Sequence, residues 1–129
     1  MERPVALRQF SQAHQAALDL AQQISRAKDA ASISRLMASV PTTFQCELEP
    51  HFAVEEAVLL PQLEAAGEEE LVRRTLEEHQ NLRSLAARIA SGDGASLQLF
   101  WIALHALIRF EERQLFPVAG AVLPEALLD

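Results

Sequence analysis

His51 and Glu55, in the stretch HFAVEEAVLLP, stand one helical turn apart. At 3.6 residues per turn they differ by roughly 40°, so both side chains can reach one point in space. An imidazole nitrogen with a carboxylate oxygen is the donor mixture that suits iron, manganese or zinc. His14, His79, Glu111 and His105 are the other candidates, and the chain's four histidines fall one to each helical segment, close to its apolar stripe. An unpaired carboxylate or imidazole inside a bundle costs several kcal/mol, so such groups persist there when paired or bound to metal. Two carboxylates on facing helices could bridge two ions while histidines fill terminal positions.

Each residue also has a plainer reading. A lone histidine on a helix edge is usually solvated, and His14, set among glutamines and alanines, would be read so by itself. His79 follows Glu77 and Glu78 and could belong to a charged surface, yet it lies on the Leu71–Leu82 stripe. Glu111 shares a stripe with Phe100, Leu104 and Leu107 and needs a partner if buried. One histidine per helix favours the metal. Glu56 and Glu112 read as solvated or capping neighbours of the ligands.

The elements that must carry these residues follow from apolar periodicity. Helices are expected at about 5–28, 34–65, 68–90 and 95–116, with an apolar tail over 117–129. The first has Phe10, His14, Ala17, Ala21 and Ile24 on one stripe. The second contains Pro41 and Pro50, which predict a break and a kink. The third turns Leu71, Thr75, His79, Leu82, Ala86 and Ile89 inward, and SGDGAS at 91–96 is a loop. Short connections favour antiparallel neighbours, hence an all-α, up-down-up-down four-helix bundle in one domain, 1–129. The tail is apolar enough to pack across one end. Trp101, Ile108 and Leu115 form a spare stripe that either packs under that tail or pairs two chains, so monomer and homodimer both stand.

Composition supports a bundle. Of 129 residues, 50% are hydrophobic but 5% are aromatic, with no tyrosine and four glycines. Leucine and alanine lose little on entering a helix, whereas strands favour aromatic and β-branched residues. A net charge of −7 opposes nucleic-acid and anionic-membrane partners. The single cysteine, Cys46, rules out an internal disulfide framework and a cysteine zinc knuckle. No apolar run approaches the roughly 18 residues that span a bilayer, and the N-terminal MERPVALRQF lacks a signal peptide's apolar region, so the cytoplasm is expected.

One internal repeat carries further. HFAVEEAVLLP at 51–61 and LIRFEERQLFP at 107–117 match Glu55 to Glu111, Glu56 to Glu112, Leu59 to Leu115 and Pro61 to Pro117. In that register His51 matches Leu107. With EEHQNLR at 77–83 and the early histidine of HQAAL at 14–18, these blocks resemble the hemerythrin-like family, the His-His-Glu cation-binding domains. The resemblance covers almost the whole chain. It implies an antiparallel four-helix bundle around a non-haem di-iron centre, with His14, His51 and His79 as terminal ligands and Glu55 and Glu111 as bridging carboxylates.

The sequence departs from that pattern where the family would place a fifth histidine, one turn before Glu111. Leu107 stands there. His105 lies six residues from Glu111, roughly 600° around a regular helix, so the two point about 120° apart. A π-bulge between 105 and 111 would turn His105 inward. Without one the site is depleted, and it is di-iron with an open position, mononuclear, or empty.

The leading reading is a metal-binding module that binds or senses oxygen, nitric oxide or peroxide, or handles iron. The chain shows no Ser-His-Asp order, phosphate loop or dinucleotide fingerprint, and nothing points to an organic substrate or to catalytic residues. The competing reading is a metal-free interaction or scaffold bundle whose site has decayed, with Leu107 as its best evidence. A ferritin-like oxidase fits poorly, because that design uses Glu-x-x-His.

Overall fold

A computed structural model describes the backbone of residues 5–122 and the side chains of residues 14–122. It is helical throughout apart from short turns, with no strand among the described residues. The first rod is α1 (Val5–Arg26). The second is one continuous rod built of α2 (Ala30–Thr43), a π turn (Phe44–Leu48), α3 (Glu49–Val54), a second π turn (Glu55–Leu59) and α4 (Leu60–Ala65). The third is α5 (Glu69–Ala90), and the fourth joins α6 (Ala95–Phe110), a π turn (Glu111–Leu115) and α7 (Phe116–Val122). The all-α four-helix bundle expected from the periodicity is the observed fold.

Connections of a few residues force sequential rods to run antiparallel. The second rod starts where Asp29 caps it, accepting the Ser32 backbone N–H at 2.6 Å. It ends at Gly67 and the third ends near Gly92, both with positive φ (90° and 95°) that glycine adopts without strain. At each, a backbone N–H reaches back past the glycine: Glu68 to the carbonyl of Leu63 at 2.9 Å, and Asp93 to that of Arg88 at 3.0 Å. Among the described residues, no helix is long and apolar enough to cross a membrane.

Two expectations about the second and fourth rods are corrected. The chain does not break at Pro41, which lies inside α2, and Pro50 stands second in α3, directly after a π turn. The reason is shared by three places. Each π turn begins six residues before a proline: Phe44 before Pro50, Glu55 before Pro61, Glu111 before Pro117. A proline ring clashes with the carbonyl four residues earlier. Widening the preceding turn, so that Leu60 N–H bonds to Glu55 and Phe116 N–H to Glu111, relieves that clash without ending the helix. The same continuity carries the fourth rod through Val122 rather than turning it across the bundle's end. The rest of the apolar tail, like the side chain of Phe10, lies outside the described residues.

α1 and α5 both pack along α6, and α5 also packs along the second rod. The core they enclose includes Phe44, Phe52, Phe100 and Phe116 and the leucines 59, 63, 82, 104, 107 and 115, each under 2% exposed. Burying such a side chain stabilises the fold by about 1.5–3 kcal/mol. Ile108 and Leu115 are part of this core, so the stripe read from the sequence as a spare face is inward, and Trp101 alone of the three is partly exposed.

Candidate metal centre

In the middle of this apolar core sit polar groups that no ordinary packing requires. Glu55, His79 and Glu111 are 0% exposed and His14 is 4% exposed. They come from all four rods: His14 from α1, His51 from α3, Glu55 and Glu111 from the starts of their π turns, and His79 from α5. A π turn adds a residue to one helical turn and so re-aims the side chains about it, a device frequent at functional sites.

The five residues form two overlapping triads. Ligand atoms of His14, His51 and Glu55 lie within 4.8 Å of one another, and so do those of Glu55, His79 and Glu111. Glu55 belongs to both. His79 Nε2 is 3.1 Å from Glu55 Oε1, His14 Nε2 is 3.0 Å from Glu111 Oε1, and His51 Nε2 is 3.9 Å from Glu55 Oε2. Both carboxylate oxygens of Glu55 and of Glu111, with His79 Nε2, are buried and meet no hydrogen-bonding group beyond the cluster itself. Such atoms are destabilising unless a cation or proton completes them. The donor set fits a first-row transition metal, and each triad is compact enough to share one ion.

The titration behaviour points the same way. Burial pushes the Glu111 carboxyl up to about 7, with Glu112 and Glu78 adding to the effect. Burial and the neighbouring Glu111 also raise Glu55 well above the usual carboxylate range. His51 falls to about 4, because burial and the nearby His14 and His79 disfavour its charged form. Burial thus favours the neutral carboxyls of Glu55 and Glu111 and the neutral imidazole of His51, so a cation entering the cluster meets a free nitrogen at His51 and must displace the carboxyl protons.

A second ring of contacts orients the histidines. His79 Nδ1 is 2.7 Å from Glu56 Oε2, and His14 Nδ1 is 3.2 Å from Glu112 Oε1. With Nδ1–H donating outward, each imidazole presents Nε2 to the cluster. Arg83 braces this ring by donating to Glu49 at 2.8 Å and pairing with Glu56 at 2.9 Å. Burial alone would raise Glu56, but hydrogen bonds from Arg83 and His79 hold it below its ordinary value. Phe52 stacks on His79 with ring centroids 4.0 Å apart and planes within 7°. The reading of Glu56 and Glu112 as solvated neighbours thus missed their orienting role. Their place immediately after the inward glutamate in both repeat blocks was the available signal.

The structure brings together His14, His51, Glu55, His79 and Glu111, and it does not bring in His105. The π turn of the fourth rod begins at Glu111, downstream of His105, so the helix between them is regular and the phase difference stands. His105 lines a separate groove with Trp101 and Arg109. Leu107, 1% exposed, occupies the inward position instead. It lines a cavity of about 270 Å³ whose wall also includes His14, His51 and Glu111 but neither Glu55 nor His79. Exposed Ala16 and Glu47 also line this cavity, on the side of the His14–His51 half.

Comparison with known families agrees with this geometry. The profile of the hemerythrin HHE cation-binding domain matches residues 5–119 of the chain. No curated protein and no solved structure gives a significant match.

Proposed function

Given that the chain belongs to the hemerythrin HHE cation-binding domain family, we propose that it is a non-haem iron-binding bundle that binds or senses oxygen, nitric oxide or peroxide. His14, His51 and Glu55 hold one ion in this reading, and Glu55, His79 and Glu111 hold the other, with Glu55 common to both. The observation that carries the reading is the pair of buried glutamates whose four oxygens face one another and three histidines, with no hydrogen-bonding group beyond the cluster to complete them. A redox metal bound there supplies reversible coordination of small ligands, which amino-acid side chains do not.

The chain's own residues do the rest. Glu56 and Glu112 keep Nε2 of His79 and His14 turned inward, and Phe52 fixes the plane of the His79 ring. Leu107, where the family's repeat calls for a histidine, withholds a nitrogen and offers a methyl-lined wall to the cavity. A small neutral molecule entering beside Ala16 and Glu47 meets the His14–His51 half, while Phe52 and the apolar core shield His79. Exclusion of bulk water by such a wall strengthens the electrostatics inside.

The test is a count of iron after anaerobic loading with ferrous ion and removal of excess. The two triads predict two ions per chain and a raised melting temperature, since ligand at 100 times its Kd adds about 2.7 kcal/mol. One ion would restrict the site to a single triad. No bound iron, with melting unchanged, would sink the reading and leave a metal-free interaction bundle.

A further inference from the structure

The outward face of the fourth rod holds a second collection of functional side chains. Between α5 and this rod runs an open groove of about 470 Å³, whose lining includes Arg74, Arg109, Arg113, Trp101 and His105. No carboxylate lines it, although the chain carries 18 acidic residues against 11 basic ones. Arg109 and Arg113 are exposed and form no ion pair among the described residues. Arg74 is spread over Phe110, its guanidinium carbon 4.1 Å from the ring centre, with Glu78 3.8 Å away. Trp101 is partly buried and its Nε1 is a buried donor without a hydrogen-bond partner.

These residues are ordered along the rod. Trp101, His105, Arg109 and Arg113 recur every four positions, with Ile102 beside them at 48% exposure. The face is therefore apolar at its Trp101–Ile102 end and cationic toward the π turn. From Trp101 to Arg113 it spans about 18 Å at 1.5 Å per residue, the length of five or six residues of extended chain. Inorganic anions would need only the arginines and would leave the apolar half unexplained, while a nucleic-acid strand needs a longer run of cations than Arg74, Arg109 and Arg113 supply. Arginine and tryptophan beside exposed aliphatic side chains are the composition of protein-binding surfaces.

We propose that this groove docks an acidic segment of a partner protein, with an apolar side chain against Trp101 and Ile102 and carboxylates on Arg109 and Arg113. The guanidinium fork suits carboxylates geometrically as well as by charge. This assignment is independent of whether the bundle holds iron.

Trp101 is the chain's sole tryptophan and there is no tyrosine, so intrinsic fluorescence reports on this groove. A capped hexapeptide of alternating leucine and paired glutamates would be titrated into the whole chain, beside a control with glutamine for glutamate. The expected result is a saturable shift in Trp101 emission with the acidic peptide, weakened by salt and absent with the control. The double variant Arg109→Glu/Arg113→Glu should bind about tenfold more weakly with unchanged helicity and iron content, both sites being exposed. The proposal is overturned by an unmoved emission, by equal binding to variant or control, or by free glutamate or inorganic phosphate giving the same shift at the same concentration.

Discussion

His79 is held from both sides by adjacent glutamates: Nε2 lies 3.1 Å from Glu55 Oε1 and Nδ1 lies 2.7 Å from Glu56 Oε2. Successive residues of one helix thus divide the work, one carboxylate inside the candidate centre and the next fixing the tautomer from outside. Glu56→Gln keeps the shape but weakens the acceptor for His79 and the pairing with Arg83. Loss of such an outer partner lowers metal affinity by about 10–100-fold. Competition against a chelator of known affinity measures it, and an unchanged affinity would show that Glu56 is merely a surface acid.

Iron affinity should rise with pH through about 7. Glu111 is pushed to about 7 and Glu55 is also raised, so below that range an ion must displace protons to reach the carboxylates. Titrations at pH 5.5, 6.5 and 7.5 distinguish this from a pH-independent site, which would count against the buried glutamates as ligands.

In the metal-free protein Glu111 has the opposite consequence. Its pKa is raised on folding, so its favourable contribution is complete below about 4.5 and is lost as pH climbs to about 7. Glu111→Gln removes that dependence. The variant's stability relative to the parent should grow by on the order of 3 kcal/mol between pH 4.5 and 8, at 1.36 kcal/mol per pKa unit. Chemical denaturation of both proteins at several pH values reads this difference, and parallel curves would contradict it. The same substitution should abolish most iron-dependent stabilisation.

Leu107→His supplies a nitrogen beside His14, His51 and Glu111. Without metal it buries a polar ring in an apolar wall and should lower stability by about 1–3 kcal/mol. With iron it should bind the ion at least about tenfold more tightly than the parent, a gain of roughly 1.4 kcal/mol. Melting temperatures with and without ferrous ion test both halves. A variant destabilised under both conditions would mean that position 107 does not face the ion.

His105→Ala should leave iron content unchanged, because that imidazole lies in the outer groove. Loss of iron in this variant, with helicity retained, would require a different helical register between 105 and 111.

The bundle, the inward stripes that bring His14, His51, Glu55, His79 and Glu111 together, and the misfit of Leu107 were legible in the sequence, for reasons that are local. Apolar spacing defines a helix face, and His51 and Glu55 share theirs whatever the rest of the chain does. The repeat of EE-x-x-L-x-P showed where the second carboxylate belongs. Even the π turns had a sequence mark, since each starts six residues before Pro50, Pro61 or Pro117. By itself proline in a helical pattern signals a break, and the widened turn together with the neighbouring rods carries the helix through it.

What tertiary structure alone decided are the relations between rods. The pairing of His79 with Glu56, of His14 with Glu112, and of Arg83 with Glu49 joins residues distant in sequence, and no periodicity within one helix encodes which outward-edge acid will meet which imidazole. The placing of His105 outside the centre depended on where one helical turn widened, a choice made by the proline clash at Pro117 within a packed core. The raised affinity of Glu55 and Glu111 for protons likewise exists only once four apolar faces have closed over them, because burial is a property of the assembly and not of the residue.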